Sequence, residues 1–390
     1  MLAFLLFVAF ATIVSVENVV ASGYKLVSRC GQGALFEKDG TRVLYVCGSP
    51  YQMGYQHGKL LKTHVVKMVE NVIAFSDASD LKRHQALKAR TLQKILERTK
   101  PFIPPRYIEE MRGVADGAGV AVEKVFATNV FPEFFHCSGF AVFGKSTKDG
   151  KLYHGRVLDY ICELQLQNHS VVVVQKPDGF NSFVNVSYAG LVGSVTGMND
   201  KQIAVGEMGG DGSGKWDGVP MTFLFRMALE QADTLKQAVE IFRNNPRTCE
   251  YFYVVSDGKI PDARGLACTP EKFEIVKPGS AHPMLPHPIV DAVVLSSGQR
   301  YELLVKRIKK NYGSIDERVA IDLMDSPVAM ESNLHDVLFS PETLDLWVAN
   351  ANVAIDKKRH QACFQTYHSY NLNEILKLSP KEASKEKSVP

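Results

Sequence analysis

In the stretch Glu133–Tyr160, EFFHCSGFAVFGKSTKDGKLYHGRVLDY, the spacing of the apolar residues changes after His136 from that of a helix to that of a strand. This change decides the fold class. Up to His136 the chain reads as helix. After it, apolar and polar residues alternate with a period of two, and Asp149-Gly150 marks a tight turn between two such runs. A cysteine, Cys137, stands at the change of pattern. The stretch therefore predicts a β-hairpin whose first strand begins at a cysteine.

Blocks of helix and blocks of hairpin follow one another along the rest of the chain. The segment from Ser49 to about Asn129 has apolar residues near helical spacing, with Ser49 as a natural N-cap. Further hairpins are predicted around Asp178-Gly179 and Asn199-Asp200. Hairpins and helices grouped in this way indicate an α+β protein and not a β-α-β sheet.

The ends of the chain differ in composition from the middle. Residues 1–22 are mostly apolar and close on small residues, which predicts a signal peptide and a secreted, periplasmic or lumenal protein; an N-terminal membrane anchor is the alternative. We divide the remainder into a helical segment at 23–136, a stranded segment at 137–375 and a charged, disordered tail at 376–390. The formal net charge of +3 gives no reason to expect a nucleic-acid partner.

Seven cysteines allow three disulfides and one remaining thiol in an oxidising compartment. Cys30 with Cys47 and Cys249 with Cys268 are the sequence-near pairs. An odd cysteine in a secreted chain is either a reactive thiol or an intermolecular bridge.

Cys137 has two interpretations. It is either a disulfide partner or small buried residue, or a nucleophile. Arg156 and Asp159 stand on the neighbouring strand of the predicted hairpin, where cross-strand side chains touch. An arginine beside a thiol favours the thiolate, which is the nucleophilic form. An ordinary ion pair at a strand end is the alternative for these two residues.

Five motifs, in order, resemble those of the acyl-coenzyme A:isopenicillin N (6-aminopenicillanic acid) acyltransferase-like family of N-terminal-nucleophile (Ntn) hydrolases. This family is related to choloylglycine (bile salt) hydrolases, acid ceramidase and N-acylethanolamine acid amidase. The resemblance extends roughly from Cys30 to Asn371. The motifs are YQMGYQHGKLL (51–61), HCSGFAVFG (136–144), HGRVLDY (154–160), GMNDKQIAVGE (197–207) and NLHDVLFSPETLDLWVANA (333–351).

The resemblance implies a four-layer αββα sandwich with two stacked antiparallel sheets, preceded by a helical N-terminal segment. The precursor, a zymogen, would cut itself between His136 and Cys137, giving an α-chain and a β-chain. Cys137 would then carry a free α-amine, and a model α-amine has a pKa of about 7.7–8.0, suited to a base near neutrality. The implied reaction is hydrolysis of an N-acyl amide, or transfer of its acyl group to an amine, through acyl-Cys137.

The same resemblance implies roles for three further residues. Arg156 would steady the thiolate or the substrate. Asp159 would hold the α-ammonium or the thiol in place. Asn199 would donate its amide N–H to the oxyanion, although asparagine in GMND also suits a plain turn.

The chain departs from the family pattern at two places. Several relatives supply a second asparagine to the oxyanion where this chain reads AVVLSSGQ, so Ser296 or Asn333 is the candidate second donor. His136 is bulkier than the residue that many relatives place before the nucleophile.

We expect neither a metal nor an organic cofactor. GGDGSGKW (209–216) lacks the Ser or Thr that follows the lysine of a phosphate-binding loop. The α/β-hydrolase motif G-x-S-x-G and the papain-type motif CGSCW are also missing. An inactive secreted binding protein on the same scaffold is the alternative from another functional class.

Overall fold

The computed structural model describes residues 23–77, 89–134, 136–160, 162–210, 215–352 and 360–378. The predicted signal peptide and most of the predicted tail lie outside these residues, as does part of the GGDGSGKW segment. Within the described residues, no helix has both the length and the apolar character needed to cross a bilayer.

Sixteen strands of the described chain form two sheets. The larger sheet has the order β1-β2-β3-β6-β7-β8-β9-β10-β11-β12, and the smaller has the order β13-β4-β5-β14-β15-β16. The strands are β1 Lys25–Cys30, β2 Gly33–Lys38, β3 Thr41–Gly48, β4 His136–Gly144, β5 Gly150–Asp159, β6 Ser170–Pro177, β7 Phe183–Tyr188, β8 Thr196–Asn199, β9 Ile203–Gly209, β10 Tyr251–Asp257, β11 Asp262–Cys268, β12 Phe273–Val276, β13 Ala292–Leu295, β14 Asn333–Ser340, β15 Asp345–Asn350 and β16 His368–Asn371.

Helices cover the outer faces of both sheets. The described α-helices are α1 Pro50–Leu60, α2 Lys62–Asp77, α3 Ala89–Thr99, α4 Pro105–Ala118, α5 Val122–Val130, α6 Met221–Gln231, α7 Leu235–Asn244, α8 Gly298–Lys310, α9 Glu317–Leu323 and α10 Leu372–Lys377. Helices α1, α6 and α7 pack on the larger sheet, and α8 and α9 pack on the smaller one. The inner faces of the two sheets contact each other through β4 and β9. This arrangement confirms the predicted α+β fold class with two stacked sheets.

The segment 23–136 is not wholly helical, contrary to our prediction. It begins with β1, β2 and β3, and β3 pairs in parallel with β6, so the larger sheet is mixed. The turn between β2 and β3 has Asp39 and Gly40 at φ of 51° and 75°. Positive φ at both central residues is the hairpin geometry that an Asp-Gly pair favours. The N-terminal segment therefore supplies one edge of the larger sheet.

Helices α1 and α4 pack with their backbones in contact. A Cβ placed on Gly54 would lie 1.9 Å from the Glu110 carbonyl oxygen, and one on Gly113 would lie 2.3 Å from the Tyr51 carbonyl oxygen. The segment GVADGAGV (113–120) ends this helix, since α4 stops at Ala118 and Gly119 caps it with a φ of 74°. Gly113 lies inside α4, where a side chain would force the two helices apart.

A buried ion cluster joins α4 to α6. Arg226 donates to Glu110 through Nη1 at 2.9 Å and through Nη2 at 2.6 Å, and its Nε donates to Glu230 at 3.1 Å. The Tyr107 hydroxyl donates to the other oxygen of Glu230 at 2.6 Å. Arg226 is fully buried, so these carboxylates are what compensates its charge. The cluster links the N-terminal helices to the segment after Cys137.

Replacing Glu110 by alanine should lower the free energy of unfolding by about 3–5 kcal/mol, because Arg226 then stays buried without its bidentate partner. Glu109→Ala is the matched control. Glu109 pairs with Arg112 at the surface, so its loss should cost about 1 kcal/mol or less. Denaturant unfolding of both variants measures the difference, and equal losses would contradict the structural role of the cluster.

Candidate functional site

Cys137 lies at the start of a central strand of the smaller sheet. In β4 it pairs with Leu158 of β5, and its side chain is buried. Gly139, two residues on, allows β4 to approach β9, since a Cβ there would lie 2.8 Å from Met208 Sδ. The two sheets are therefore in close contact beside the cysteine.

An ion pair between the two sheets lies next to the thiol. Arg156 of β5 donates from Nη2 to Glu207 Oε1 of β9 at 2.7 Å, and both side chains are fully buried. The same carboxylate oxygen lies 3.6 Å from Cys137 Sγ and accepts from the Tyr160 hydroxyl at 3.3 Å. One oxygen of Glu207 thus accepts hydrogen bonds from Arg156 and Tyr160 and lies beside the Cys137 thiol.

The environment keeps the thiol protonated. Burial raises the pKa of Cys137 well above its ordinary value; the Arg156 charge opposes this shift, and the Glu207 and Asp159 carboxylates add to it. Burial alone would lower the pKa of Arg156, but Cys137 and Glu207 outweigh burial and raise it. The thiol therefore needs a proton acceptor before it can attack, and Glu207 is in place to be one.

Asp159 is held by the smaller sheet and α8. Its carboxylate accepts from Arg300 and, at 3.0 Å, from the backbone N–H of Met330. Burial raises the pKa of Asp159, and the Arg300 charge opposes that rise. A hydrogen bond with the Asp159 backbone lowers the pKa of the Cys137 thiol. Asp159 thus lies beside Cys137, with its carboxylate already paired.

The structure places Asn199 at the end of β8, beside the turn that begins at Asp200, and not in the wall of the thiol cavity. Its amide donates to the Leu229 and Ala232 carbonyls, both at 2.8 Å. Its oxygen accepts from the N–H groups of Lys201 at 3.0 Å and Ile203 at 2.9 Å. These bonds use both N–H donors and both lone pairs of the amide. The contacts correct the oxyanion assignment and support the turn interpretation.

The two candidates for the second oxyanion donor are in different surroundings. Ser296 hydrogen-bonds Ser138 at 2.7 Å between the hydroxyl oxygens and lines a cavity with Cys137. Asn333 pairs with Asp159 in the strand ladder; its amide donates to Asp336 at 2.8 Å and its oxygen accepts from the Cys363 N–H. Of the two, Ser296 is the one that borders the space beside the thiol.

That space is small and mostly apolar. It is a cavity of about 50 Å³, whereas pockets for small-molecule ligands usually measure about 300–1,000 Å³. Its walls combine the thiol with strand residues and with two residues from each of two connecting segments. They are Cys137, Met208, Gly209, Phe252, Met284, Leu285, Leu295, Ser296 and Ser297.

The structure does not support the disulfides that the cysteine count allows. None of the seven cysteines, all within the described chain, forms a disulfide bond. Cys30 stands in β1 and Cys47 in β3, with β2 between them. No cluster of three or more His, Cys, Asp or Glu side chains suited to a metal ion occurs in the described ranges.

The sequence interpretation missed Glu207 and Arg300. Glu207 closes the motif GMNDKQIAVGE, and a detectable signal was its place in the period-two pattern. Ile203, Val205 and Glu207 share one buried face of β9, so a carboxylate stands where a third apolar residue is expected. Arg300 carried no such signal, because only the tertiary fold brings α8 to Asp159.

Glu207→Gln should keep the shape of the site and remove its negative charge. The thiol of the uncut chain would lose its proton acceptor, so the formation of active enzyme, and with it the turnover of an N-acyl amide, should fall by about 10²–10⁴-fold. The control is Glu271→Gln, since Glu271 is an exposed carboxylate on the surface. Unchanged turnover in a Glu207→Gln protein that melts as a folded domain would contradict the role of Glu207.

Asn199→Ala should lower stability and leave turnover per folded molecule unchanged. The alanine removes the side-chain partner of the Leu229 carbonyl and of the N–H groups of Lys201 and Ile203, each costing about 1–3 kcal/mol when left unsatisfied. The Ala232 carbonyl keeps the Asn181 amide as a donor. Asp200→Ala in the adjoining turn is the control and should change the melting temperature little. A loss of turnover of 10²-fold or more at unchanged stability would restore the oxyanion role.

Residues 146–267 match the family model described as acyl-coenzyme A:6-aminopenicillanic acid acyl-transferase. Protein dcd1B of Dictyostelium discoideum is 26% identical over 281 residues, which is 65% of this chain and 56% of that protein. N-acylethanolamine-hydrolyzing acid amidase of Cavia porcellus is 24% identical over 173 residues, 42% of this chain and 48% of that protein. The chain thus spans about half the length of these curated relatives.

The solved structure of the Caenorhabditis elegans N-acylethanolamine-hydrolyzing acid amidase ortholog matches with a TM-score of 0.41 and 17% identity, over 53% of this chain and 93% of that chain. The segment that matches the family model begins after Cys137 and contains Arg156, Asp159 and Glu207. The match of the family model confirms the resemblance to the acyl-coenzyme A:6-aminopenicillanic acid acyltransferase family that the sequence motifs predict.

Proposed function

We propose that the chain is a self-processing cysteine Ntn hydrolase that cleaves an N-acyl amide, or transfers its acyl group, through acyl-Cys137. The observation that carries the proposal is the position of the Cys137 thiol. It lies 3.6 Å from a fully buried carboxylate that is neutralised by Arg156, at the edge of an apolar cavity. A structural cysteine needs no such ion pair beside it, and burying one is costly.

The first step in the proposal is cleavage of the precursor. Glu207 accepts the thiol proton, and the sulfur attacks the carbonyl carbon of His136. The C–N bond to Cys137 breaks, its nitrogen takes a proton, and a thioester joins His136 to the Cys137 sulfur. Water then hydrolyses the thioester, leaving a carboxylate on His136 and a free thiol and α-amine on Cys137.

In the processed enzyme, nucleophile and base belong to one residue. The α-amine of Cys137 takes the thiol proton, the sulfur attacks the substrate carbonyl, and the amine product leaves with that proton. Water, or an acceptor amine, then attacks the acyl-Cys137 thioester, which releases the acid or the new amide and restores the thiol. Holding both groups on one residue removes much of the entropic cost of bringing them together. Arg156 stabilises the thiolate, and Ser296 is the donor we propose for the oxyanion, because it lines the cavity of the thiol.

The two chains would stay associated after the cut. Strand β3 pairs along its length with β6, and Glu110 binds Arg226 across the prospective chain boundary. The N-terminal chain is thus part of the sheet and of the buried ion cluster. We propose that it remains as a subunit and is not released as a propeptide.

The cavity favours an apolar acyl group as the part of the substrate beside Cys137. Met208, Phe252 and Leu295 provide methyl, aromatic and isobutyl surface next to the thiol. The apolar residues 1–22 support a secreted or lumenal location as part of the proposal.

Cys137→Ala should abolish hydrolysis of N-acyl aminomethylcoumarins, whereas Cys30→Ala should leave it unchanged. Stopping the wild-type reaction in acid and measuring the mass of the tryptic peptide that contains Cys137 should show the acyl group on that residue. Activity that survives in Cys137→Ala would refute the nucleophile. A folded wild-type protein that binds these amides without turning them over would favour the binding-protein alternative.

A further inference from the structure

One loop closes the thiol cavity. It connects β12, which ends at Val276, to β13, which begins at Ala292. At its tip His282 and Leu285 exchange backbone hydrogen bonds of 3.3 and 2.8 Å, which makes a tight turn of the sequence HPML. This turn contributes Met284 and Leu285 to the cavity wall.

Leu285 separates two cavities. It lines the cavity of about 50 Å³ that contains Cys137. It also lines a second cavity of about 20 Å³ beneath the loop, bordered by Val276, Ile289 and Tyr301. The Leu285 side chain is buried, at 5% exposure, whereas Met284 is 56% exposed and borders only the thiol cavity.

The other apolar walls of the thiol cavity cannot move easily. Met208 lies on β9 and Phe252 on β10, and each of these strands is hydrogen-bonded on both sides. Leu295 lies on β13, which pairs with β4. The loop lies between the strands β12 and β13 and is held by individual bonds, such as Gly279 N–H to the Ile289 carbonyl at 2.9 Å within the loop and His287 N–H to the Tyr301 hydroxyl at 3.0 Å. An acyl chain therefore gains room by displacing Leu285 and not a strand.

We propose that Leu285 sets the length of the acyl chain that the enzyme accepts, by closing off the second cavity from the thiol. A short acyl group would fit with Leu285 in place, and a longer one would have to push it aside. The inference rests on the proposed amidase activity and adds to it the residue that determines substrate length.

The test compares N-acyl aminomethylcoumarins with acyl chains of 4 to 16 carbons. Leu285→Ala joins the two cavities, so the optimum of kcat/KM should move to longer chains, with about a fourfold gain for each newly buried methylene. Leu285→Phe should move the optimum to shorter chains. Val290→Ala is the control and should leave the optimum where it is, since Val290 is an exposed residue of the same loop that borders neither cavity.

A double variant distinguishes a change in the length of the acyl cavity from a general loss of packing. Ile289→Phe fills the second cavity, so combining it with Leu285→Ala should return the optimum towards that of the wild type. Thermal melts establish that each variant is folded; if Leu285→Ala does not fold, Leu285→Phe and Ile289→Phe carry the test. An unchanged optimum in folded, active variants would overturn the role of Leu285 alone. Absence of wild-type turnover on every amide would instead refute the proposed function.

Discussion

The buried ion pair between Arg156 and Glu207 is the interaction around which the site is built. It joins β5 of one sheet to β9 of the other, and neither side chain reaches solvent. Removing either partner would leave a buried charge uncompensated, which typically costs about 3–5 kcal/mol. The Arg156 side chain also needs a glycine at position 206, because a Cβ there would lie 3.0 Å from Arg156 Cδ. The two sheets and the thiol are thus positioned by one pair of charges, and the same carboxylate is available to take the proton of Cys137.

The N-terminal segment is built into the fold on which this pair depends. Its strands extend the larger sheet, its α1 and α4 touch backbone to backbone, and its Glu110 compensates Arg226. The β3–β6 pairing and the Glu110–Arg226 pair cross the boundary at Cys137. A cut at that position would therefore release one bond and leave the packing in place. A new chain terminus could thus form inside the folded domain without unfolding it.

Much of the fold could be predicted from the sequence, and less of the site. The period change at Cys137 and the Asp-Gly turns identify strands directly, because they are local properties. The strands at Lys25–Gly48 were missed although Asp39-Gly40 gives the same turn signal. Glu207 was missed because its partner Arg156 is 51 residues away, and only the stacking of two sheets brings them together. Asn199 was misjudged for the converse reason: its motif is right, but its amide is used up by the backbone around it.

The central claim is that Cys137 becomes a chain terminus and the nucleophile. Intact mass measurement of the reduced, purified protein tests it most directly, with Glu207→Gln and Cys137→Ala measured beside the wild type. The account predicts two chains for the wild type, one beginning at Cys137, and a single uncut chain for Cys137→Ala, with Glu207→Gln uncut or cut slowly. A wild-type protein that hydrolyses N-acyl amides as one uncut chain would contradict the account, as would a Cys137→Ala protein cut at the same bond.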